Sequence, residues 1–134
     1  MRTIAPALLS LLCLAGCTTR KQVAGEPLDA GVMAVYRAPF DKVKRAALDA
    51  VAELAFGVKE EKWEDERRYK IVCSQGVASG TIGRYARVVI ETADTECTVY
   101  VIVKSKAAGA EARPVDDTIA ADLQKRILKR VEKP

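Results

Sequence analysis

The stretch PFDKVKRAALDAVAELAFG, residues 39–57, decides the fold class because its apolar side chains recur with the period of an α-helix. The apolar positions are Phe40, Val43, Ala47, Ala50, Val51 and Leu54, and charged residues fill the opposite face. Pro39 suits the first helical position, where its missing N–H is not needed, and Gly57 suits the residue after the last turn. The stretch therefore predicts an amphipathic helix from Pro39 to Phe56.

Strand-like segments surround this helix. VMAVYR at 32–37 precedes it, and four β-rich runs follow it, separated by polar or glycine-bearing turns. The four runs cover residues 58–64, 69–74, 84–92 and 97–106. A second amphipathic helix then has its apolar stripe at Ile119, Leu123, Ile127 and Val131. The order β-α-β-β-β-β-α predicts an α+β fold, a two-layer sandwich with an antiparallel sheet and two helices on one face, in a single domain at residues 32–134.

The N-terminal residues 1–16 have the layout of a secretory signal peptide, with Arg2 followed by an apolar run too short to span a bilayer. The next motif, Leu14-Ala15-Gly16-Cys17, resembles the lipobox of bacterial lipoproteins. That resemblance implies cleavage between Gly16 and Cys17, a diacylglyceryl thioether on Cys17 and usually an acyl group on its new amino terminus. Several acyl chains give stable anchoring, whereas one chain binds a membrane only reversibly. The alternative is an ordinary signal peptide with a chance cysteine.

Residues 17–31 are expected to form the lipidated N-terminus and a flexible tether, because they lack apolar periodicity and contain Gly25 and Pro27. Thr18, not Asp, follows Cys17, which in enterobacterial lipoproteins favours the outer membrane over the inner one. The expected location is therefore the bacterial cell envelope, anchored by lipid to the outer membrane and facing the periplasm.

The segment VYRAPFDKVKRAALDAVAELAFGV at 35–58, with the strands and the helix that follow, is similar to a family of small bacterial envelope lipoproteins of unknown function. The similarity spans roughly residues 32–131, and the loop Ala107–Arg113 is where a departure from the pattern is expected. Helix-grip domains, such as those of the lipoprotein C subunit of the outer-membrane assembly machinery, show a fainter similarity. Neither resemblance implies a catalytic residue.

The composition argues against an enzyme, a cofactor site or a metal site. The chain has no histidine, which removes the commonest general base and zinc ligand. Gly76, Gly80 and Gly83 favour a hairpin turn over a phosphate-binding loop, which stays the alternative, because the segment runs into a strand and not into a helix. The net charge of +4 is modest and the aromatic residues match no nucleic-acid motif, so no nucleic-acid partner is expected.

Cys73 and Cys97 are the two cysteines of the predicted domain, and an oxidising periplasm would permit a disulfide between them. In a simple meander Cys73 lies near Tyr85 and Cys97 near Ile90 or Glu91, at opposite ends of the intervening strand. A disulfide needs Cα atoms within about 7 Å. Two buried free thiols are therefore favoured, and the disulfide stays the alternative.

The face of the sheet that the helices leave open is a candidate partner surface. Strand alternation sends Val72, Val89, Tyr100 and Ile102 to this face, which is more apolar than an open face usually is. We expect a partner, a second copy or the returning tether to cover it, although strand-favoured residues on a surface need no cover. Trp63, alone in a polar run, is a second candidate contact, or else it covers the edge of the core.

These observations predict a noncatalytic, lipid-anchored envelope lipoprotein that acts as a protein-interaction or scaffold module. Its expected partners are the membrane, through the lipid on Cys17, and either another protein or a second copy. The alternative is a small-ligand or lipid carrier that uses the groove between helices and sheet. The predicted core side chains just fill that groove, which favours the interaction module.

Overall fold

The computed structural model of the chain describes residues 25–76, 83–105 and 117–133. The predicted signal peptide, Cys17 and the loop Ala107–Arg113 lie outside the described residues. The elements are β1 (Val32–Tyr36), α1 (Phe40–Glu53), β2 (Phe56–Trp63), β3 (Arg68–Gln75), β4 (Arg84–Ala93), β5 (Glu96–Ser105) and α2 (Asp117–Glu132). A short 3-10 helix, Leu28–Ala30, precedes β1. The predicted α+β order β-α-β-β-β-β-α is confirmed.

The five strands form one antiparallel sheet in the order β1-β5-β4-β3-β2. β1 therefore joins the sheet beside the last strand, and β1 and β2 are its two edges. Both helices pack on one face of this sheet and against each other. We call this face the inner face and the opposite one the outer face. Within the described residues, no helix is long and apolar enough to cross a membrane.

The core lies between the two helices and the inner face. Its fully buried side chains come from α1 (Val43, Ala47, Ala50 and Val51), from α2 (Leu123 and Ile127) and from β3, β4 and β5 (Ile71, Val88, Ile90, Val99 and Val101). The alanines of α1 allow its backbone to approach the sheet closely. Each large side chain of this kind contributes roughly 1.5–3 kcal/mol on full burial.

Helix α1 ends three residues earlier than the sequence predicted. Ala55, and not Gly57, adopts the left-handed backbone that turns the chain, with φ of 64°. Phe56 already belongs to β2, where it is buried and pairs with Gln75. The Gln75 side chain donates to the carbonyl oxygen of Leu54 at 2.7 Å, which satisfies an acceptor that the helix end leaves free. Burial of Phe56 in the sheet explains why the helix stops before it.

A buried glutamine on α2 joins this helix to the seam between β1 and β5. Gln124 Nε2 donates to the carbonyl oxygens of Val32 at 3.0 Å and Val99 at 2.8 Å. The Tyr36 hydroxyl donates to Gln124 Oε1 at 2.5 Å and lies 3.0 Å from the Gln124 carbonyl oxygen. Burial raises the pKa of Tyr36 to about 12. These hydrogen bonds of Gln124 fix the position of α2 over β1.

Candidate functional site

The outer face holds the four side chains that strand alternation assigned to it. Val72, Arg87 and Ile102 lie side by side across β3, β4 and β5, and Val89 lies beside Tyr100 in the neighbouring row. Val72 and Val89 have no exposed surface and Ile102 has 1%, whereas Tyr100 is partly exposed. The centre of the outer face is therefore largely closed to solvent.

The chain N-terminal to β1 occupies part of this face. We call residues 26–31 the strap. The Arg87 guanidinium, at the centre of the outer face, donates to the carbonyl oxygens of Glu26 and, at 3.1 Å, of Pro27. Lys104 on β5 forms an ion pair with the Glu26 carboxylate. Residues 26–31 of the expected tether are thus bound to the domain through one buried arginine and one partly buried lysine.

Arg87 is an unusual residue for its position because only 2% of it is exposed. Desolvation lowers the pKa of its guanidinium, and the carboxylates of Glu64 and Glu26 oppose that change. An arginine stays charged even when its pKa falls moderately, and a buried charge requires hydrogen-bond partners. The strap carbonyls supply such partners, so burial of Arg87 and docking of the strap depend on each other.

The end of the strap approaches β5 so closely that only glycine fits there. A Cβ on Gly31 would lie 1.9 Å from the Val101 carbonyl oxygen and 2.9 Å from the Ile102 Cα. Both are backbone atoms and cannot move aside without a shift of the strand. The Leu28–Ala30 turn contacts the same strand. Gly31 therefore allows the strap to lie flat on β5 before the chain enters β1.

The margin of the outer face at β1 remains open. Met33 is 57% exposed and Val35 is 53% exposed, and they lie beside Tyr100 and Thr98 of β5. We call Met33, Val35 and Tyr100 the β1 margin. Two neighbouring aliphatic side chains with more than half of their surface in water, at a sheet edge, are an apolar feature that the fold itself does not use.

Trp63 does not join the outer-face residues. It pairs with Tyr69 in the β2–β3 ladder and so lies on the inner face, where its ring centroid is 4.7 Å from that of Phe40 and 5.2 Å from that of Tyr69. Lys44 lies over the Tyr69 ring at 4.7 Å, and the Tyr69 hydroxyl donates to Glu61 at 2.8 Å. Trp63 covers the end of the core where α1 begins, yet 48% of it stays exposed.

Cys73 and Cys97 are both free and buried in the structure. Cys73 pairs with Ala86 and Cys97 with Thr92, each one residue or more from the predicted neighbour. The six residue steps from Ala86 to Thr92 span roughly 20 Å of strand, far more than a disulfide can bridge. Burial raises the pKa of Cys73 to about 12 and also raises the pKa of Cys97. Neither thiol is in the ionised form that reacts.

Charged side chains outside the outer face form structural contacts. On the two helices, Glu53 accepts hydrogen bonds from Arg126 and Arg130, which keeps its pKa below the usual range. These residues border an open groove of about 770 Å³ at the end of α2. At the β2–β3 turn, Asp65 accepts backbone hydrogen bonds from Arg67 at 2.8 Å and Arg68 at 2.9 Å. Throughout the described ranges, no cluster of cysteine and carboxylate side chains could hold a metal ion.

Arg87, Gln124, Gly31 and Met33 were not identified from the sequence as site residues. A signal for Arg87 existed, because an arginine precedes three apolar residues in the middle of a strand that is apolar on both faces. A buried cation at such a position needs an acceptor from elsewhere in the chain. The close approach of Gly31 to β5 depends on tertiary geometry and has no local signal.

A scan against protein-family models and a search of curated proteins found no match to this chain.

Proposed function

We propose that this protein is a noncatalytic, lipid-anchored lipoprotein of the bacterial cell envelope, and that its domain is a protein-interaction or scaffold module. The single observation that carries the interaction role is the β1 margin, where Met33 and Val35 are more than half exposed beside Tyr100. Exposed aliphatic side chains that adjoin one another at a sheet edge are typical of contact surfaces.

The strap limits how far the domain can lie from the membrane in the proposed anchored form. If lipid is attached to Cys17, eight residues separate it from Glu26, where the chain meets Arg87 and Lys104. An extended segment of that length reaches at most about 30 Å, so the domain stays close to the bilayer. The outer membrane is the proposed site of anchoring because Thr18 follows Cys17.

The carrier alternative uses the space between helices and sheet. In the described residues that space is filled by fully buried side chains such as Val43, Val51 and Leu123. A lipid or small ligand would have to displace them, which supports the interaction module over the carrier. Native mass spectrometry of protein extracted gently from membranes checks this point, since a bound small molecule would favour the carrier.

The anchor is tested by the intact mass of protein purified from membranes. We expect cleavage before Cys17 and the added mass of acyl chains, and a Cys17→Ser variant should accumulate uncleaved or without lipid. An unmodified Cys17 in the mature wild-type protein would contradict the anchored part.

The interaction role is tested by photo-crosslinking in living cells. A benzophenone amino acid replaces Val35 in one variant, Trp63 in a second and Lys59, on the opposite edge, in a control. A defined protein adduct at position 35 or 63 that is absent at position 59 supports the module. Equal background at all three positions would argue against it.

A further inference from the structure

We propose that β1 is a self-association edge, which pairs antiparallel with β1 of a second copy of this chain and joins the two sheets. The inference deepens the proposed function, on which it rests, by naming the partner as a second copy. It starts from a difference between the two edges of the sheet.

The two edge strands differ in their protection against pairing. β2, with the sequence FGVKEEKW, has four charged residues and a register shift between Val58 and Glu60. Charges and bulges of this kind prevent an exposed edge from pairing with another chain. β1, with the sequence VMAVY, has no charge, no proline and an unbroken register with β5. β1 is therefore the edge that accepts another strand.

The residue pattern of β1 is complementary to itself. In an antiparallel pair centred on Ala34, Met33 of each copy lies opposite Val35 of the other, both on the outer face. Four exposed aliphatic side chains then form one apolar patch that continues into both Tyr100 rings. The inner side of the same strand keeps Tyr36 in its core contacts with Gln124. The pair thus buries the β1 margin without disturbing either core.

The charges that flank β1 also fit this arrangement. Arg37 directly follows β1 and Asp29 lies three residues before it, and both are exposed. The antiparallel pairing brings Arg37 of one copy to the end where Asp29 of the other lies. Neither side chain has an ion-pair partner among the described residues. A partner of unrelated sequence would not necessarily have an acidic residue near Arg37. A second copy always brings Asp29 to that end of the pair.

The size of the contact predicts where pairing occurs. Two five-residue strands bury much less than the roughly 1,600 Å² of a standard stable interface, so the dimer is weak when the protein is dilute. Anchoring both copies to one membrane raises their effective concentration toward the millimolar range. Pairing is therefore expected on the membrane, with the full lipidated chain.

Disulfide trapping in isolated membranes tests the proposal on the full chain. A variant with Met33→Cys and Val35→Cys places two sulfurs opposite two others across the proposed pair, at a Cβ separation of about 4.5–5.5 Å that a disulfide can close with a small adjustment. The matched control has Glu60→Cys and Lys62→Cys, with the same spacing on the outer face of the opposite edge. Cys73 and Cys97 are buried in both variants.

We expect mild oxidation to give a reducible band of twice the monomer mass at least about tenfold faster for the β1 variant than for the control. Single Met33→Cys and Val35→Cys variants should trap several-fold more slowly than the double variant, because each faces the other position and not itself. Circular dichroism and protected Cys73 and Cys97 thiols verify that each variant is folded.

Equal trapping at both edges, no trapped dimer in folded protein, or single variants as fast as the double would overturn the proposal. These failures differ from failure of the proposed function. An adduct at position 35 that contains a different protein keeps the interaction module and removes self-association, whereas an unlipidated Cys17 removes the anchor and leaves the edge contact to be judged on trapping alone.

Discussion

The Arg87 guanidinium donates a hydrogen bond to the carbonyl oxygen of Pro27 across 3.1 Å, which joins the middle of β4 to the chain ahead of β1. Sixty residues separate the two partners in sequence. The bond connects a segment that composition marks as a tether to the most buried cation of the sheet. It follows that changes on β4 alter the N-terminal segment.

Replacement of Arg87 should release the strap. We expect Arg87→Met to lower the free energy of unfolding by about 1–3 kcal/mol, because the strap loses charge-assisted hydrogen bonds. Urea denaturation measures the stability, and amide hydrogen exchange at residues 28–31 should accelerate in the folded state. Arg67→Met, at an exposed turn position, is the matched control and should change neither quantity. A destabilised variant whose strap keeps its exchange rates would show that Arg87 does not hold the strap.

Gly31 and Gly25 provide a matched pair for the close approach to β5. Gly31→Ala should lower the free energy of unfolding by about 1–3 kcal/mol, because its Cβ would meet the Val101 carbonyl oxygen at 1.9 Å. Gly25→Ala should change it by less than about 0.5 kcal/mol, since nothing lies within 4 Å of the added Cβ. Thermal and urea unfolding of the two variants measure the difference. Equal stabilities would mean that the strap does not lie flat on β5.

Gln124 should stabilise the folded state through its polar amide group and not through its volume. Gln124→Leu keeps a similar volume but removes the donor for the Val32 and Val99 carbonyl oxygens and the Oε1 acceptor for Tyr36. We expect a loss of about 1–3 kcal/mol in unfolding free energy, typical of buried polar groups left without a partner. Lys125→Leu, at the exposed neighbouring position, serves as the control and should change stability little. A Gln124→Leu variant as stable as the wild type would contradict this role.

Stability should fall at alkaline pH. Burial raises the pKa of Cys73 from about 9 to about 12 and that of Tyr36 from about 10 to about 12. Both groups are neutral when protonated, so the folded state holds their protons more tightly than the unfolded state. Their contribution is complete below about pH 9 and is lost between pH 9 and 12. Urea midpoints at pH 7, 9, 10 and 11 measure the loss.

Two variants separate the contributions of Cys73 and Tyr36. Cys73→Ala should reduce the loss between pH 9 and 10, whereas Tyr36→Phe should reduce it only above pH 10. In the same samples, mature protein unfolded without reductant should titrate two thiols, and folded protein at pH 8 should titrate none. A stability that stays constant from pH 7 to 11 would contradict the buried state of both groups.

The two-layer architecture could be predicted because hydrophobic spacing alone specifies it. Val43, Ala47 and Ala50 recur at helical spacing, and the alternation around Val89 and Tyr100 correctly assigned the faces of β4 and β5. The end of α1 was placed too late, because glycine is the usual left-handed residue and Ala55 took that position here. Tertiary burial of Phe56 outweighed the local preference.

The site was less predictable because it depends on contacts between distant segments. The sequence indicated that the outer face needs a cover, but the acceptors that Arg87 finds are backbone carbonyls, which carry no sequence signature. The predicted pairing of Cys73 and Cys97 with β4 was off by one residue or more. The lengths of the hairpin turns fix this register, and β4 and β5 are joined by a two-residue turn between Ala93 and Glu96. The sequence assigned Trp63 to no face, and the register shift in β2 is what places it on the inner face at the edge of the core.

The strap also determines how the domain responds to mechanical force. A pull on the chain ahead of Glu26 reaches the contacts of Arg87 and Lys104 before it reaches β1. These few polar bonds are the first contacts to carry the load, ahead of the β1–β5 ladder. Release of residues 26–31 then adds roughly 20 Å of chain while the core stays folded. The N-terminal segment therefore lengthens before the force loads the sheet.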